Sequence, residues 1–263
     1  MRLFAHELRA EQLLFWRNRE AAIFTFFLPV VFFLIFASVY GNNKMTNEGG
    51  IRAASFLEAG MIGYGVAATC FAGLGITLVI RRESGILKRI RSTPLPPATY
   101  LVAVLASTFV VFLIEAFLII VAGRLFFSVP APGRVLSLIV VLAVGALCFA
   151  AMGVGVTALV RTAEGSSAVI NAIYLPMAII AGTFFTPKSY PEFLRIIADV
   201  LPLTHYTQLT RDVMVHHQHI WRDWGAIAVV TAHELTWALL AEIGAGVAIA
   251  LAAIEVLARP QEG

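Results

Sequence analysis

Two segments of the sequence come close to motifs that carry chemistry, and each lacks a residue that the chemistry needs. His233 and Glu234 begin a pattern typical of zinc proteases, but Trp237 stands where the second histidine of that pattern belongs. The stretch 182–189, GTFFTPKS, begins like a phosphate-binding loop, but Pro187 replaces its second glycine and has no N–H to offer a phosphate. The sequence therefore predicts neither metalloprotease chemistry nor an ATP site in this chain.

Three histidines near the end of the sequence are the remaining candidates for a metal site. His216, His217 and His219 follow Asp212 by about one helical turn and could together hold a metal ion. The alternative, which we favour, is a polar turn ahead of two interfacial tryptophans. The two cysteines lie inside separate apolar runs, with no spacing for a disulfide framework or a metal site. We therefore predict that this chain itself binds no metal or other cofactor.

Glu115 is the most unusual ionisable residue, because it stands inside the apolar run VVFLIEAFLII. A charge at such a position in a membrane costs at least about 2.5 kcal/mol, so the residue should face other helices. Counting residues at a helical rise places Tyr64 at about the same depth, and we expect Tyr64 to hydrogen-bond the carboxyl. Glu115 either lines a substrate path or is a protonated structural group that joins two helices.

Asn171 and Tyr174 form a second polar pair in an apolar run, one helical turn apart on one face. They are candidates for the lining of the cytoplasmic half of a substrate path that Tyr64 and Glu115 would also line. An interhelical hydrogen bond is the alternative for this pair. The sequence alone leaves both interpretations open.

The elements that position these residues are predicted to be membrane helices. The chain has 263 residues, of which 59% are hydrophobic and only 13% charged, whereas a soluble domain carries about 25% charged residues. Repeated apolar runs of about 20 residues match the thickness of a bilayer. A soluble enzyme is excluded, and the basic residues are expected to set orientation and contact anionic lipid rather than nucleic acid.

The pattern predicts an all-α, polytopic membrane protein whose single transmembrane domain occupies residues 1–263 and has six transmembrane helices. Their expected bounds are about 21–40, 57–80, 100–122, 135–160, 168–186 and 236–256. Residues 1–20 are expected to form an amphipathic interfacial helix, and 187–224 short re-entrant helices at the outer surface. The second and fourth spans are rich in glycine, which permits close helix packing. The start of the last span is the least defined, because the polar pair at 233–234 interrupts its apolar run.

The loop 81–97, RRESGILKRIRSTPLPP, concentrates basic charge between two apolar runs. Its apolar residues Ile86, Leu87 and Ile90 are three and four apart, so a short helix here would have one apolar face. The prolines that follow end that helix. Docking on another protein is the interpretation that uses both the apolar face and the basic rim, and binding to lipid headgroups is the alternative.

The distribution of basic residues predicts the orientation of the chain. Eleven of the 19 basic residues fall on the side that holds both termini and the loop 81–97, and eight on the other. By the positive-inside rule, both termini and this loop are cytoplasmic, in a multi-pass protein of the plasma membrane.

A set of motifs in the second half of the chain supports a resemblance to a known family. A basic turn follows the fourth span, then come an Asn and a Pro in the fifth, a Gly-x-Phe-Phe-x-Pro, a Pro-x-x-Leu, a Pro-Leu-Thr and an Arg. These positions are Arg161, Asn171, Pro176, Gly182, Phe184, Phe185, Pro187, Pro191, Leu194, Pro202, Leu203, Thr204 and Arg211. Arg82, Glu83, Gly85, Leu87, Pro94 and Leu95 fit a second family pattern, in the charged loop. The chain resembles, over nearly its whole length, permeases of the ABC type-2 exporter family, which includes the daunorubicin-resistance type; Glu115 and the 233–234 pair lie outside the family pattern.

This resemblance implies a permease that moves drugs or other amphipathic compounds out of the cytoplasm and is not itself an enzyme. Two copies, or two related chains, would pair in the membrane, and separate ABC ATPase subunits would bind ATP and Mg²⁺. The loop would couple the two through Arg82, Glu83, Gly85, Leu87, Lys88 and Arg89. An outer gate would include Phe184, Phe185 and Pro187.

Two alternatives to a drug exporter remain at this stage. One is a permease of the same class for a lipid or a lipid-linked polysaccharide. The other is a proton-coupled secondary transporter that uses Glu115, which predicts an internal repeat that we do not find between the two halves of the sequence.

Overall fold

The computed structural model of the protein describes residues 2–45, 48–93, 95–160 and 162–215. Several sequence predictions fall outside these residues. They are the sixth span at 236–256, the end of the outer segment at 216–224, Pro94, Arg161, the three histidines at 216, 217 and 219, and the pair at 233–234.

The described residues are mostly helical, and ten α-helices can be delimited within them. They are α1 (Arg2–Arg17), α2 (Arg19–Tyr40), α3 (Ala53–Gly65), α4 (Leu74–Glu83), α5 (Ile86–Arg91), α6 (Pro97–Phe127), α7 (Val135–Val156), α8 (Ala163–Ile180), α9 (Glu192–Val200) and α10 (Pro202–Met214). A π-helical segment, Val66–Gly73, joins α3 to α4 without a break.

Five helices in the described part of the chain are long and apolar enough to cross a membrane. They are Arg19–Tyr40, Ala53–Glu83, Pro97–Phe127, Val135–Val156 and Ala163–Ile180. We refer to them as spans 1 to 5, so that span 2 comprises α3, the π segment and α4. The second and third are longer than their predicted bounds of 57–80 and 100–122, because residues that flank the apolar runs are also helical. The fifth ends six residues before its predicted end at 186, where Gly182 takes a positive φ of 78° that terminates the helix.

A short hairpin departs from the all-α expectation. Strand β1 (Lys44–Met45) pairs antiparallel with β2 (Ile51–Arg52) between spans 1 and 2. The Arg52 guanidinium then donates a 3.1 Å hydrogen bond to the carbonyl oxygen of Phe127, in the last turn of α6. This contact ties the hairpin to the end of span 3, where carbonyl groups lack helical partners.

Span 2 lies at the centre of the described structure and is the most buried of the five, whereas spans 1 and 5 are the least buried. It packs closely on span 4 through glycine, as the sequence predicts. A Cβ added at Gly153 would lie 2.8 Å from the carbonyl oxygens of Cys70 and Phe71, and one at Gly75 would lie 3.1 Å from the carbonyl oxygen of Gly153. Only glycine permits this approach of two backbones.

The two ends of the helical bundle differ in chemistry. At one end, the arginine-rich end, α1, α5 and the connection between α7 and α8 lie around residues 81–83. At the other, the hairpin end, Glu48 and the segment after α8 are in contact. The substrate-path candidates lie between these ends.

Helix α1 occupies the region in which the sequence predicts an interfacial helix. It is fixed to span 3 by Gln12, whose amide donates hydrogen bonds of 2.9 Å to the carbonyl oxygen and the hydroxyl of Ser107. At its end, Trp16 stacks on Phe26 of span 1 with ring centroids 5.5 Å apart. Its position at a membrane interface stays a prediction.

Candidate functional site

A cavity of about 590 Å³ lies among α1 and spans 1, 2, 3 and 5. This volume falls within the range of about 300–1,000 Å³ that holds drug-sized ligands. Glu11 and Arg81 line it toward the arginine-rich end, and Tyr64 and Tyr174 line it farther from that end. Most of the remaining lining is apolar, so the cavity suits an amphipathic molecule better than a fully polar one.

Three of the four substrate-path candidates line this one cavity: Tyr64, Asn171 and Tyr174. The rings of the two tyrosines have centroids 5.6 Å apart, which places spans 2 and 5 in contact at this level. The Asn171 amide donates a 3.1 Å hydrogen bond to the Ser167 hydroxyl, one turn earlier in the same helix. The Tyr174 hydroxyl is buried and lies beside that of Tyr64.

Glu115 is fully buried and lies behind the cavity wall rather than on it. Its Oε2 accepts a 2.7 Å hydrogen bond from the hydroxyl of Thr69, which does line the cavity. The predicted hydrogen bond from Tyr64 is therefore wrong. Counting residues gave the depth of the two side chains but not their direction around the helix, and the π segment turns Thr69 toward Glu115.

The sequence interpretation missed a second buried carboxyl, Glu58 in span 2. A Cβ added at Gly123 would lie 2.6 Å from Glu58 Oε1, and one at Gly65 would lie 2.6 Å from Glu115 Oε1. Each carboxyl thus sits against a glycine of the opposite span. An acidic residue within an apolar run was the signal that identified Glu115, and the same signal was present for Glu58.

Phe184, a candidate for the outer gate, lies in an aromatic cluster at the hairpin end of the cavity. Its ring centroid is 5.1 Å from that of Phe36 and 6.0 Å from that of Tyr64. Phe185 points away and is 51% exposed, whereas Pro187 is buried against Gly182. Of the three gate candidates, Phe184 is the one whose ring contacts a residue of the cavity lining, Tyr64.

Arg211 holds the turn on which these gate candidates stand. Its guanidinium donates a hydrogen bond to the carbonyl oxygen of Gly182 and lies 3.7 Å above the ring of Phe56. Burial lowers the pKa of Arg211 to about 10, so the group remains charged at neutral pH. Beside it, Glu48 accepts hydrogen bonds from Thr186 and, at 3.0 Å, from Lys188.

The predicted coupling helix is α5, which follows a turn at Gly85 with a positive φ of 73°. Leu87 and Ile90, two of the three residues of its expected apolar face, pack partly against the core of the chain itself. Ile86 remains 41% exposed, and Lys88 and Arg89 are exposed beside it. The surface offered to a partner is therefore more basic and less apolar than the sequence pattern predicts.

Arg81, Arg82 and Glu83, which we call the junction, precede this turn, and each contacts a different element. Arg81 donates two hydrogen bonds of 2.7 Å to the carboxylate of Glu11 in α1, and one of 2.8 Å to the hydroxyl of Tyr100 in α6. The Arg81–Glu11 ion pair is largely buried. It joins α1 and span 3 to the end of span 2.

Arg82 and Glu83 bind the connection between spans 4 and 5. The Arg82 guanidinium donates to the carbonyl oxygens of Thr157, at 2.8 Å, and Val160. The Glu83 carboxylate accepts from the backbone N–H of Ala163, the first residue of α8. A cation thus meets the carbonyl end of α7 and an anion the N–H end of α8, which is the favourable sense for both helix dipoles. Two residues predicted to face an ATPase are engaged within the chain.

No group of three or more His, Cys, Asp or Glu side chains that could hold a metal ion occurs in the part of the chain that the structure describes.

The chain is similar to known proteins over all the residues described above. Residues 2–215 match the family described as "ABC-2 type transporter". A protein of Bacillus subtilis (strain 168) named "Putative transport permease YvfS" is 23% identical over 227 residues, which cover 86% of this chain and 90% of that protein. The family match includes the cavity, the junction and α5.

Proposed function

Because the chain belongs to the ABC-2 type transporter family, we propose that it is the membrane permease of an ATP-driven exporter powered by separate ABC ATPase subunits. The junction is the observation that carries this proposal. Its three consecutive residues connect α5, the short basic helix that follows span 2, to α1 and to spans 3, 4 and 5. A force applied at α5 would therefore reach four elements at once.

These connections lead to the cavity. Residues of α1, α6 and α8 line it, and Arg81 itself contributes to the lining at the arginine-rich end. A displacement of α5 would be transmitted through polar contacts of about 2.7–2.8 Å in addition to the packing of the helices. Such contacts allow the cavity walls to rearrange between two states, as alternating access requires.

The proposal includes the assembly around the chain. Two copies, or this chain and a related one, pair in the plasma membrane, with α1 and α5 on the cytoplasmic side. ATP and Mg²⁺ bind to the ATPase subunits. The exposed trio Ile86, Lys88 and Arg89 is the contact surface, with Lys88 and Arg89 meeting acidic side chains of the partner.

The proposed substrates are drugs or other amphipathic compounds, in keeping with a largely apolar cavity of drug size. A lipid or lipid-linked polysaccharide is the alternative cargo within the same class. A proton-coupled transporter that uses Glu115 is the alternative outside it, and the lack of an internal repeat between the two halves of the sequence speaks against that mechanism.

Charge reversal at α5 tests the proposal. We expect Lys88→Glu combined with Arg89→Glu to reduce co-purification of the ATPase subunit about tenfold or more, and ATP-dependent export in inside-out vesicles to fall with it. Arg195→Glu is the matched control, since this exposed arginine of α9 lies at the hairpin end. If the wild-type chain bound no ABC ATPase, or exported equally well without ATP, the proposed function would be wrong.

A further inference from the structure

One carboxyl oxygen of Glu115 accepts a hydrogen bond, and the other, which we call the idle oxygen, accepts none from the described residues. Thr69 donates to Oε2, whereas Oε1 is buried and has no hydrogen-bond partner among the described residues. The ion pairs in that part of the chain join Arg81 to Glu11 and Lys188 to Glu48, so Glu115 takes part in neither. A buried carboxyl oxygen without a donor is costly, and a donor group on a bound molecule would satisfy it.

The idle oxygen is close to the cavity. Thr69 lines the cavity and also holds the carboxyl, so Glu115 is one side chain away from that space. Glu115 also lies near enough to the hydroxyls of Tyr64 and Tyr174 to interact with both electrostatically. Thr69, Tyr64 and Tyr174 line one corner of the cavity, and Glu115 lies directly behind them, where spans 2, 3 and 5 meet.

The backbone at this corner is unusual. Thr69 belongs to the π-helical segment Val66–Gly73, and π-helical turns are rare and occur frequently at functional sites. Ala68, Thr69, Ala72 and Gly73 of the segment all line the cavity. The irregular winding therefore coincides with the stretch of span 2 that would touch a bound molecule.

The charges of the lining favour a cationic ligand. Arg81 is the one basic side chain among the described residues that line the cavity, and Glu11 and Tyr100 already occupy its guanidinium. An anionic headgroup would find no free positive charge there. A cation would find a carboxyl with an idle oxygen beside two tyrosine side chains.

We propose that this corner, formed by Glu115, Thr69, Tyr64 and Tyr174, binds the ammonium group of an amphipathic amine. The inference rests on the proposed function and narrows its substrate class to lipophilic cations. On binding, the Glu115 carboxyl turns from Gly65 toward the cavity and accepts an N–H from the ammonium group. The tyrosine rings add cation–π attraction, and the apolar walls cover the rest of the molecule.

A pair of probes that differ only in charge tests the proposal. Dansylcadaverine carries a primary ammonium group, and its N-acetyl derivative is neutral with the same fluorophore and chain. We expect the full-length protein in lipid nanodiscs to bind the amine about tenfold more tightly than the acetylated probe, measured by fluorescence anisotropy against empty nanodiscs. Glu115→Gln should reduce amine binding about tenfold and leave binding of the neutral probe unchanged.

Glu58→Gln is the matched control. It changes the other buried carboxyl of the same helix pair, which lies against Gly123 and does not line the cavity. We expect this variant to keep the preference for the amine. The proposal is overturned if the wild-type protein binds the two probes equally or binds neither, if Glu115→Gln keeps the preference, or if Glu58→Gln loses it to the same extent.

The assay needs no ATPase, so its outcome is independent of the test of the proposed function. Loss of ATPase binding in the α5 variant with equal affinities for the two probes would reject the cation subsite alone. If the wild-type chain binds the amine selectively but recruits no ATPase, the proposed exporter function is rejected and the proposed cation subsite is retained.

Discussion

A carboxyl group inside an apolar helix is stable only where nearby groups offset its removal from water. Glu58 and Glu115 each lie against a glycine of the opposite span, which provides the space for the carboxyl, and the Thr69 hydroxyl donates a hydrogen bond to Glu115. Residue type alone indicated that Glu115 must face other helices, and it does. The identity of its donor, Thr69, could not be predicted, because that depends on the direction of a side chain in a π-helical turn.

The Thr69 hydroxyl provides a direct test of this arrangement. We expect Thr69→Val to destabilise the protein by about 1–3 kcal/mol, since it leaves both oxygens of a buried carboxyl without a donor. Thermal unfolding in detergent, followed by near-UV circular dichroism, measures the change. In the Glu115→Met variant, Thr69→Val should change the free energy of unfolding little, because both partners of the hydrogen bond have then been removed.

Thr108→Val is the control for this prediction. Thr108 also lines the cavity, but its hydroxyl donates at 3.0 Å to the carbonyl oxygen of Val104 in the same helix. That carbonyl keeps its helical hydrogen bond, so we expect a loss of about 0.5 kcal/mol or less. Equal losses for the two threonine variants would contradict the special position of Thr69.

At the scale of elements, five of the six membrane helices that the apolar runs predict lie close to helices of sufficient length and hydropathy in the described residues, because both are properties of the sequence. What the sequence missed depends on backbone geometry. The end of span 5 follows from the positive φ of Gly182, and the π segment from a hydrogen-bond pattern that leaves no mark on hydropathy. The apolar face of α5 was predicted correctly in composition, yet two of its three residues pack inward.

Helix α9 allows the predicted re-entrant position of an element to be tested. One of its faces exposes the apolar side chains of Phe193, Ile196, Ile197 and Val200, at 45–69% of their surface. If that face is embedded in the outer leaflet, we expect Ile196→Cys to react at least about tenfold more slowly with a membrane-impermeant maleimide than Arg195→Cys does, in intact cells.

The labelling requires a background in which Cys70 and Cys148 have been replaced. Permeabilised cells serve as the control, because a residue that faces the cytoplasm becomes reactive only there. Equal, fast labelling at 195 and 196 would mean that α9 stands free in water. Labelling of Arg195→Cys only after permeabilisation would contradict the proposed orientation of the whole chain.

At the scale of the whole molecule, the junction connects one short helix to several elements of the bundle. The sequence identified the charged loop but assigned Arg82 and Glu83 to a partner protein. In the structure they bind the facing ends of α7 and α8, contacts between residues about 75–80 positions apart in the sequence. Such long-range pairs cannot be read from a single sequence, because nothing local distinguishes an arginine that docks from one that caps a neighbouring helix.

Docking of an ATPase subunit and transmission of force within the chain predict different defects when Arg82 is replaced. We expect Arg82→Ala to retain the ATPase subunit, because Lys88 and Arg89 of α5 are unchanged, but to lower the amount of substrate exported per ATP hydrolysed about tenfold. Arg82→Lys should export an amount of substrate per ATP between those of Arg82→Ala and the wild type. A lysine can donate to one carbonyl oxygen but lacks the planar guanidinium group that donates to two. Co-purification, ATPase activity and vesicle transport of the reconstituted complex measure the three quantities separately.

The Lys88/Arg89 charge reversal gives the contrast that decides between docking and transmission. That variant should lose ATPase binding and transport together, whereas Arg82→Ala should lose transport with binding intact. If Arg82→Ala lost the ATPase to the same extent, Arg82 would be part of the docking surface and its contacts with Thr157 and Val160 would not be the route of the force. If Arg82→Ala still binds the ATPase subunit and ATP is hydrolysed without export, the transmission step lies at the facing ends of spans 4 and 5.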